Sequence, residues 1–191
     1  MENTDKSLIE AHCQGDPKAF EEIVRRYGDG ILVYLIRMTG NRQQAEDLFQ
    51  ETFKRVHEKS HTLRGAEFKS WLFRIATNTA LDGLRKKIRV SSREKSLTFT
   101  DCDGEKTAGP TVADYSHNPS TEIEKAEQIE QVRQAINSLP ERQRATLVMA
   151  YYEQLSYSQV AAVLGCSIGT VKTQMYRAMR TLAQKLPEIE L

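Results

Sequence analysis

The chain has 191 residues, enough for one domain or for two small ones. Charged residues make up 28% and hydrophobic residues 39%, a balance that is typical of a globular protein and excludes wholesale disorder. No apolar run reaches the about 18 residues that span a membrane, and the N-terminal residues MENTDKSLIE lack the features of a signal peptide. We therefore expect a cytoplasmic protein without membrane insertion.

The cysteines and histidines do not suggest a site. Cys13, Cys102 and Cys166 are odd in number and form no CxxC pair, which argues against a disulfide framework and a structural zinc site. His12 stands beside Cys13, but no second pair of ligands follows at a suitable spacing. The chain also lacks a Gly-rich phosphate loop and a nucleophile elbow. We expect no metal, no other cofactor, no catalytic residue and no enzymatic activity.

The first half of the chain is predicted to be helical. Asp16-Pro17 supplies a cap and a first-turn proline to a helix whose apolar stripe continues to Gly40, with an interruption expected at 28–30. Asn41 caps the next helix, RQQAEDLFQETFKRVHEK, which has one apolar face and one face of acids and amides. After the loop SHTLRGAE, a helix is predicted from about Phe68 to Lys87. Its apolar stripe includes Trp71, and its opposite stripe comprises Arg74, Asn78, Asp82 and Arg85.

Residues 90–119 differ from what precedes them. They are rich in Ser, Thr, Asp and Gly, they have no helical period, and a loop of this length inside one domain is unusual. Helix is predicted to resume near Thr121, to break at Leu139-Pro140 and to continue as ERQRATLVMAYYEQ. The predicted fold is all-α, with two small helical domains, 1–89 and 120–191, joined by a flexible linker at 90–119.

Residues 155–180 predict a helix-turn-helix. Ser156 and Gln159 form a capping box, Gly165 ends the first helix, and Ser167 can cap the second. From Cys166 to Leu186 there are four Lys/Arg and no acid, and this second helix has a polar outer face. The pattern suits insertion into a DNA major groove. The alternative is an ordinary helical hairpin with a solvated basic face.

A second basic segment lies in the first half. From Trp71 to Lys95 there are seven Lys/Arg and two Asp/Glu, although the whole chain has a net charge of only +1. Two separated basic segments can attract a phosphate backbone in a chain that is nearly neutral overall.

Three segments together resemble one family. AEDLFQETF at 45–53, FKSWLFRIATNTALDGLRKK at 68–87 and LPERQRATLVMAYYEQLSYSQVAAVLGCSIGTVKTQMYRAMRTL at 139–182 are similar, in order and spacing, to extracytoplasmic function (ECF) sigma factors. These are compact bacterial transcription initiation factors. The resemblance implies sigma regions two and four without region three, binding to core RNA polymerase, and recognition of promoter DNA at the −10 and −35 elements.

The resemblance also implies a polymerase contact. In the family, the helix at 41–59 meets the largest polymerase subunit, which here suggests the polar face formed by Asp47, Gln50 and Glu51. The alternative is a solvated helix face that is stabilised by side-chain pairs.

The −10 candidates follow from the same resemblance. Similar sigma factors hold an extruded base between the helix at 68–87 and the loop before it, which corresponds here to about 60–68. Asn78 matches the helix position, and its amide can both donate and accept hydrogen bonds. The basic residues near the helix end can hold phosphates or complement the helix dipole. The predicted −10 set is Arg64, Phe68, Asn78, Asp82, Arg85, Lys86 and Lys87. Trp71 is expected in the core.

The −35 candidates lie on the second helix of the helix-turn-helix. Arg177 is the best candidate for an arginine contact to a base or phosphate, and Lys172 and Arg180 are expected to contact phosphates. The predicted −35 set is Ser167, Thr170, Lys172, Thr173, Gln174, Arg177 and Arg180.

One alternative function remains at this point. A helix-turn-helix regulator could bind DNA without joining the polymerase, and such proteins usually dimerise on palindromes. Residues 41–87 favour the sigma factor, which we expect to be a monomer when free. Whether an anti-sigma factor is a further partner is left open by the sequence.

Overall fold

Within each range that the structure describes, the helices follow one another through short turns, as a computed structural model shows. The structure describes residues 4–63, 67–94 and 119–186, and the side-chain surroundings of all of these except 87–94 and 119–126. No strand occurs in these ranges, and none of their helices is long and apolar enough to cross a membrane. The elements are α1 (Asp5–Cys13), α2 (Pro17–Thr39), α3 (Arg42–Lys59), a 3-10 turn (Ser60–Thr62), α4 (Phe68–Glu94), α5 (Pro119–Asn137), α6 (Glu141–Leu147), a π-helical turn (Val148–Tyr152), α7 (Tyr157–Leu164) and α8 (Ile168–Lys185).

The first three helices each begin with a side-chain cap. Thr4 caps α1, a helix that the sequence pattern did not predict because its nine residues bury only Leu8 and Ile9. Asp16 caps α2 and Asn41 caps α3, as predicted. Each cap satisfies a backbone N–H that has no partner within its own helix.

The predicted interruption of α2 at 28–30 is wrong. The helix is continuous from Pro17 to Thr39, and Gly28 is buried. A Cβ at Gly28 would lie 3.6 Å from the ring of Phe49, so the glycine lets α3 approach closely. Burial of Ile23 and Ile31 on either side outweighs the about 1 kcal/mol that a glycine costs in a helix.

Two predicted helix boundaries also shift. Helix α4 continues to Glu94, past the predicted end at Lys87, because no Gly or Pro interrupts the intervening residues. Helix α5 begins at Pro119 rather than near Thr121, as a proline in the first turn allows. The rest of the predicted linker, 95–118, lies outside the described residues.

The segment ERQRATLVMAYYEQ is not a single α-helix. Helix α6 ends at Leu147, and a π-helical turn follows from Val148 to Tyr152. Gln154 then adopts a left-handed backbone with φ of 54° and ends the turn. Short π-helical segments are rare and often occur at functional positions. Here the turn buries Val148 and Met149 completely and carries the chain toward the other half.

The two halves pack directly against each other, which the prediction of two flexibly joined domains did not include. Their buried apolar side chains form one continuous cluster. Helix α4 packs against α7, and the hydroxyl of Thr77 lies 2.7 Å from the Tyr34 hydroxyl and 3.9 Å from Met149 Sδ. Burial raises the pKa of Tyr34, so this phenol stays protonated.

A buried arginine joins the ends of three helices at this contact. Arg144 on α6 donates from Nη1 to the carbonyl oxygen of Met38 at 2.5 Å and from Nη2 to that of Leu139 at 3.1 Å. Nη2 also donates to the carbonyl oxygen of Asn137 at the end of α5. Burial lowers the pKa of this guanidinium, and the nearby charge of Glu141 offsets only part of that effect. Arg144 therefore satisfies carbonyls that the helix ends leave unpaired.

Replacing Arg144 by Lys should destabilise the protein by about 2 kcal/mol, since one ammonium cannot reach carbonyl oxygens on three segments. The free energy of unfolding, measured in urea, tests this expectation. Arg142→Lys is the matched control, because Arg142 is exposed on the same helix, and its effect should stay within about 0.5 kcal/mol. Equal unfolding midpoints for the two variants would contradict the role of Arg144.

Candidate functional site

The helix-turn-helix forms as the sequence predicts. The Ser156 side chain accepts from the backbone N–H of Gln159 at 3.3 Å, and the Gln159 side chain accepts from the N–H of Ser156 at 2.8 Å. Gly165 ends α7 with a φ of 62°, a conformation that favours glycine. Ser167 then caps α8 by accepting from the N–H of Thr170 at 3.1 Å. These local bonds set the angle between α7 and α8.

Helix α8 has one buried side and one outward side. Val171, Ala178 and Leu182 are buried against the rest of the C-terminal half. The opposite side exposes Lys172, Thr173, Tyr176, Arg177 and Arg180. Among the residues with described side chains, none forms a hydrogen bond or an ion pair with the charged groups of Lys172, Arg177 and Arg180; the Thr181 hydroxyl donates only to the backbone carbonyl of Arg177, at 3.0 Å. These three cations are therefore available to a ligand.

Tyr176 is a candidate that sequence reasoning missed. It is 67% exposed and lies three residues after Thr173, on the same outward side of α8. An exposed aromatic ring between basic residues was the signal that could have identified it. Its ring can pack against a base or sugar, and its hydroxyl can bond to a phosphate.

The shorter predicted side chains of α8 are partly engaged by the protein itself. The hydroxyls of Ser167 and Thr170 lie 3.0 Å apart, and Thr173 donates to the carbonyl oxygen of Gly169 at 2.9 Å. Gln174 is half-buried and accepts from the Thr146 hydroxyl at 2.7 Å. Gln174 thus braces α8 against α6, whereas Thr170 and Thr173 remain exposed on its surface.

On the polar face of α3, two of the three predicted contact residues are exposed, and the third forms an ion pair with an arginine of the same helix. Asp47 and Gln50 are exposed. Glu51 accepts from Arg55 Nε at 2.8 Å, and the same guanidinium lies 3.3 Å from the Thr79 hydroxyl. These contacts of Arg55 fix the polar face of α3 relative to α4.

The polar stripe of α4 is exposed as predicted. Asn78 is open to solvent, and Asp82 lies 3.8 Å from Arg55 and 3.9 Å from Arg85. A carboxylate repels phosphate, so Asp82 is suited to orient the two arginines rather than to contact a DNA backbone. Lys86 is exposed at the same end of the stripe.

Phe68 lies in the core, which differs from its predicted place on a DNA-contacting surface. It is 4% exposed, and its ring packs against Tyr27 and Trp71 with centroids 5.1 Å and 5.9 Å apart. Its apolar spacing with Trp71 placed it on the buried stripe of the helix. Trp71 packs against the core as predicted. Arg64 and the side chain of Lys87 lie outside the described residues.

No metal site competes with these surfaces in the described part of the chain. Within it, no three His, Cys, Asp or Glu side chains are arranged to hold an ion. His12 and His57 pack with ring centroids 4.9 Å apart, and burial together with the charge of His57 lowers the pKa of His12. The exposed cations of α8 can bind anions, and the polar face of α3 carries exposed acid and amide groups.

Comparisons with known proteins agree on one family. Residues 23–90 match the family model "Sigma-70 region 2", and residues 129–182 match "Sigma-70, region 4". The chain is 33% identical to the ECF RNA polymerase sigma factor SigW of Bacillus subtilis, over 99% of this chain and 100% of that protein. It is 32% identical to the RNA polymerase sigma-H factor of Pseudomonas aeruginosa, over 95% and 93% of the two chains.

Solved structures show the same fold. The sigma factor RpoE in complex with the anti-sigma factor NepR from Bartonella quintana superposes with a TM-score of 0.71 at 24% identity, covering 91% of this chain and 99% of that one. CnrH in complex with the cytosolic domain of CnrY gives a TM-score of 0.68 at 21% identity, covering 97% and 99%. With relatives similar over their whole length and both sigma-70 regions in order, the chain belongs to the family of ECF RNA polymerase sigma factors.

Proposed function

We propose that this protein directs core RNA polymerase to specific promoters and assists opening of the −10 element. The observation that carries the proposal is the presence, in one chain, of an outward basic face on α8 and a sigma region 2 at 23–90. The protein supplies promoter recognition, and the polymerase performs nucleotide transfer, so it acts as an initiation factor and not as an enzyme. It works in the cytoplasm and is a monomer when free.

Helix α8 is the proposed reader of the −35 element. Its exposed cations and Tyr176 are available, its buried side fixes it to α6 and α7, and its N-terminus is capped rigidly. Arg177 is suited to grip a guanine in two-pronged fashion, while Lys172 and Arg180 match phosphates on either side of the groove. Gln174 of the predicted set is half-buried and accepts from the Thr146 hydroxyl through Oε1, which leaves its amide N–H groups for a contact with DNA.

Arg177→Ala should reduce discrimination between consensus and scrambled −35 DNA by about 1–3 kcal/mol, since it removes a base contact. Lys172→Ala should weaken binding to both duplexes alike and reduce the salt slope by about one, since it removes a phosphate contact. Holoenzyme binding to both duplexes over a salt series distinguishes the two roles. Lys18→Ala, an exposed lysine of the other half, is the control. If Arg177→Ala leaves discrimination intact, Arg177 does not contact a base; if neither variant changes binding to either duplex at any salt concentration, α8 is not the reader.

The polar face of α3 is the proposed contact with core polymerase. Asp47 and Gln50 are exposed, and Glu51 is held in a defined position by Arg55. Fixed acids on a rigid helix can pair with a basic protein surface without first losing much side-chain entropy. If this face is only solvated, the charges of Asp47 and Glu51 should have no effect on the affinity for core polymerase.

Asp47→Arg combined with Glu51→Arg should weaken binding to core polymerase at least about tenfold, because reversed charges repel the partner surface. A labelled protein titrated with core polymerase gives the affinity, and circular dichroism confirms the helices. Glu10→Arg combined with Glu21→Arg makes the same charge change on exposed acids of α1 and α2 and should bind normally. Equal affinities of both double variants would support the solvated-face alternative.

Asn78 is the proposed contact with an unpaired −10 base. It is exposed on α4, and the stripe continues to Arg85 and Lys86, which can hold adjoining phosphates. Removing a base from the stack costs a few kcal/mol, so hydrogen bonds from an amide contribute to offsetting it. The buried ring of Phe68 supports this region from within rather than stacking on DNA.

Asn78→Ala should therefore reduce open-complex formation more than closed-complex binding, because its partner appears only after the strands separate. Permanganate reactivity of −10 thymines measures opening, and filter binding at low temperature measures the closed complex. Gln43→Ala removes an exposed amide from α3 and should leave both signals unchanged. An unaltered permanganate footprint in the Asn78 variant would refute the role.

The alternative function, a helix-turn-helix regulator that acts apart from the polymerase, is not favoured. It gives no reason for the region 2 match at 23–90. Run-off transcription with purified core polymerase distinguishes the two functions, because a regulator alone would not start transcripts from core enzyme.

An anti-sigma factor is a further proposed partner. One solved structure with this fold is a complex of a sigma factor with an anti-sigma factor, and a second is a complex with the cytosolic domain of another protein. This chain offers an apolar groove of about 590 Å³ between the two halves, lined by Ile36, Val132 and Tyr152 and edged by Arg37 and Arg133. An amphipathic helix with acidic side chains fits this combination of apolar floor and basic edge.

A further inference from the structure

Helix α1 reaches both ends of the connection between α3 and α4, one end directly and the other through a tyrosine of α2. That connection begins with the 3-10 turn, Ser60–Thr62, and ends at Phe68, the first residue of α4. Leu8 and Ile9 hold α1 against the core, where they are 3% and 5% exposed. A nine-residue helix is a single rigid element about 14 Å long, so contacts at its two ends are coupled.

The C-terminal end of α1 contacts the 3-10 turn. The Cys13 thiol lies 3.6 Å from the Ser60 hydroxyl, and that hydroxyl donates to the backbone carbonyl of His57 at 3.1 Å. Beside this contact, the centroid of the His12 ring lies 4.9 Å from that of His57 and 4.8 Å from that of Phe20. Ser60 is buried, so the start of the connection is enclosed between α1 and the end of α3.

The N-terminal end of α1 reaches the start of α4 through Tyr27 of α2. The Tyr27 hydroxyl donates to Asp5 in the first turn of α1, and Arg26 Nη1 pairs with the same carboxylate at 2.7 Å. The Tyr27 ring packs edge-on against Phe68, with ring centroids 5.1 Å apart. Burial and the bond to Asp5 raise the pKa of Tyr27, so the hydroxyl keeps the proton that it donates. Hydrogen bonds to an ionised acceptor are roughly twice as strong as neutral ones.

We propose that α1 positions the −10 contact of α4, with Asp5 and Tyr27 acting as positioning residues through Phe68. The inference rests on the proposed function, in which α4 presents Asn78 to an unpaired −10 base. Asp5 and Tyr27 do not touch the base. They fix the first turn of α4, while Cys13 packs on the 3-10 turn at the other end of the connection.

The physical reason is that base capture needs a site that is already in place. Removing a base from the stack is costly, and groups that must first be ordered offset less of that cost. Apolar packing on Phe68 is not directional, whereas the hydrogen bond from Tyr27 to Asp5 is directional and fixes the ring against which Phe68 packs. Loss of that bond should therefore weaken base capture while α4 stays helical.

Two variants remove the bond from opposite sides. Tyr27→Phe removes the hydroxyl and keeps the ring against Phe68, and Asp5→Ala removes the carboxylate. Glu10→Ala is the matched control, because it removes the same charge from α1 at an exposed position, where Glu10 lies 3.9 Å from Lys6 of the same helix. Thermal unfolding followed by circular dichroism reports the stability of each variant.

Each variant is assembled with core polymerase and titrated with two labelled DNAs. One is a single strand that carries the non-template −10 sequence, and the other is a duplex that carries only the −35 element. Tyr27→Phe and Asp5→Ala should each weaken binding of the single strand about threefold or more, as loss of one hydrogen bond implies. Affinities for the −35 duplex and for core polymerase should not change, and Glu10→Ala should match wild type throughout.

A double substitution tests whether Tyr27 acts through the site on α4. Combining Tyr27→Phe with Asn78→Ala should weaken binding of the single strand no more than Asn78→Ala alone, because residues that act through one contact are not additive. Losses that multiply would contradict the positioning role.

Three further outcomes separate the claims. If wild type binds the single strand and both Tyr27→Phe and Asp5→Ala bind it equally well, the positioning role is wrong. If both variants lose thermal stability and bind both DNAs and core polymerase more weakly, α1 supports the fold alone and the inference fails. Failure of the wild-type holoenzyme to bind the single strand would instead refute the proposed −10 contact itself, and with it any role of α1 in placing that contact.

Discussion

The arrangement of this protein depends on a buried guanidinium at the meeting point of three helix ends. Arg144 enters from α6 and bonds to carbonyl oxygens of Met38, Asn137 and Leu139. A buried charge is costly unless it is hydrogen-bonded, and unpaired carbonyls at buried helix ends are costly as well. The Arg144 side chain meets both requirements. Because Met38 belongs to the N-terminal half, the same guanidinium also determines how the two halves pack together.

Binding surfaces lie on the outer sides of helices whose inner sides are fixed by that core. Buried Val171 and Leu182 anchor α8, so its cations point away from the protein. The outer stripe of α4 is ordered in a similar way, since Arg55 of α3 connects Glu51 to Asp82. Fixed polar groups on rigid helices lose little freedom when a nucleic acid or protein binds.

Many local features were predictable, because they depend on residues three or four apart. The caps at Asp16, Asn41, Ser156 and Ser167 formed as the sequence indicated, and so did the left-handed Gly165. Other features depend on distant residues and escaped prediction. Gly28 remains within helix α2, where Phe49 packs against it. Gln174 is half-buried because its side chain accepts a hydrogen bond from the Thr146 hydroxyl. Neither partner can be inferred from sequence spacing.

The sequence by itself determined the helical class, the helix-turn-helix, the basic outer face of α8 and the family, because periodicity, capping and motif order are properties of the chain alone. Only the tertiary structure decided which candidate binding residues are accessible to a partner. It places Phe68 in the core and leaves Tyr176 exposed. It also decided that the two halves close on each other through Arg144. That contact joins residues 106 positions apart, and its hydrogen bonds go to helix-end carbonyls that are brought together only by folding.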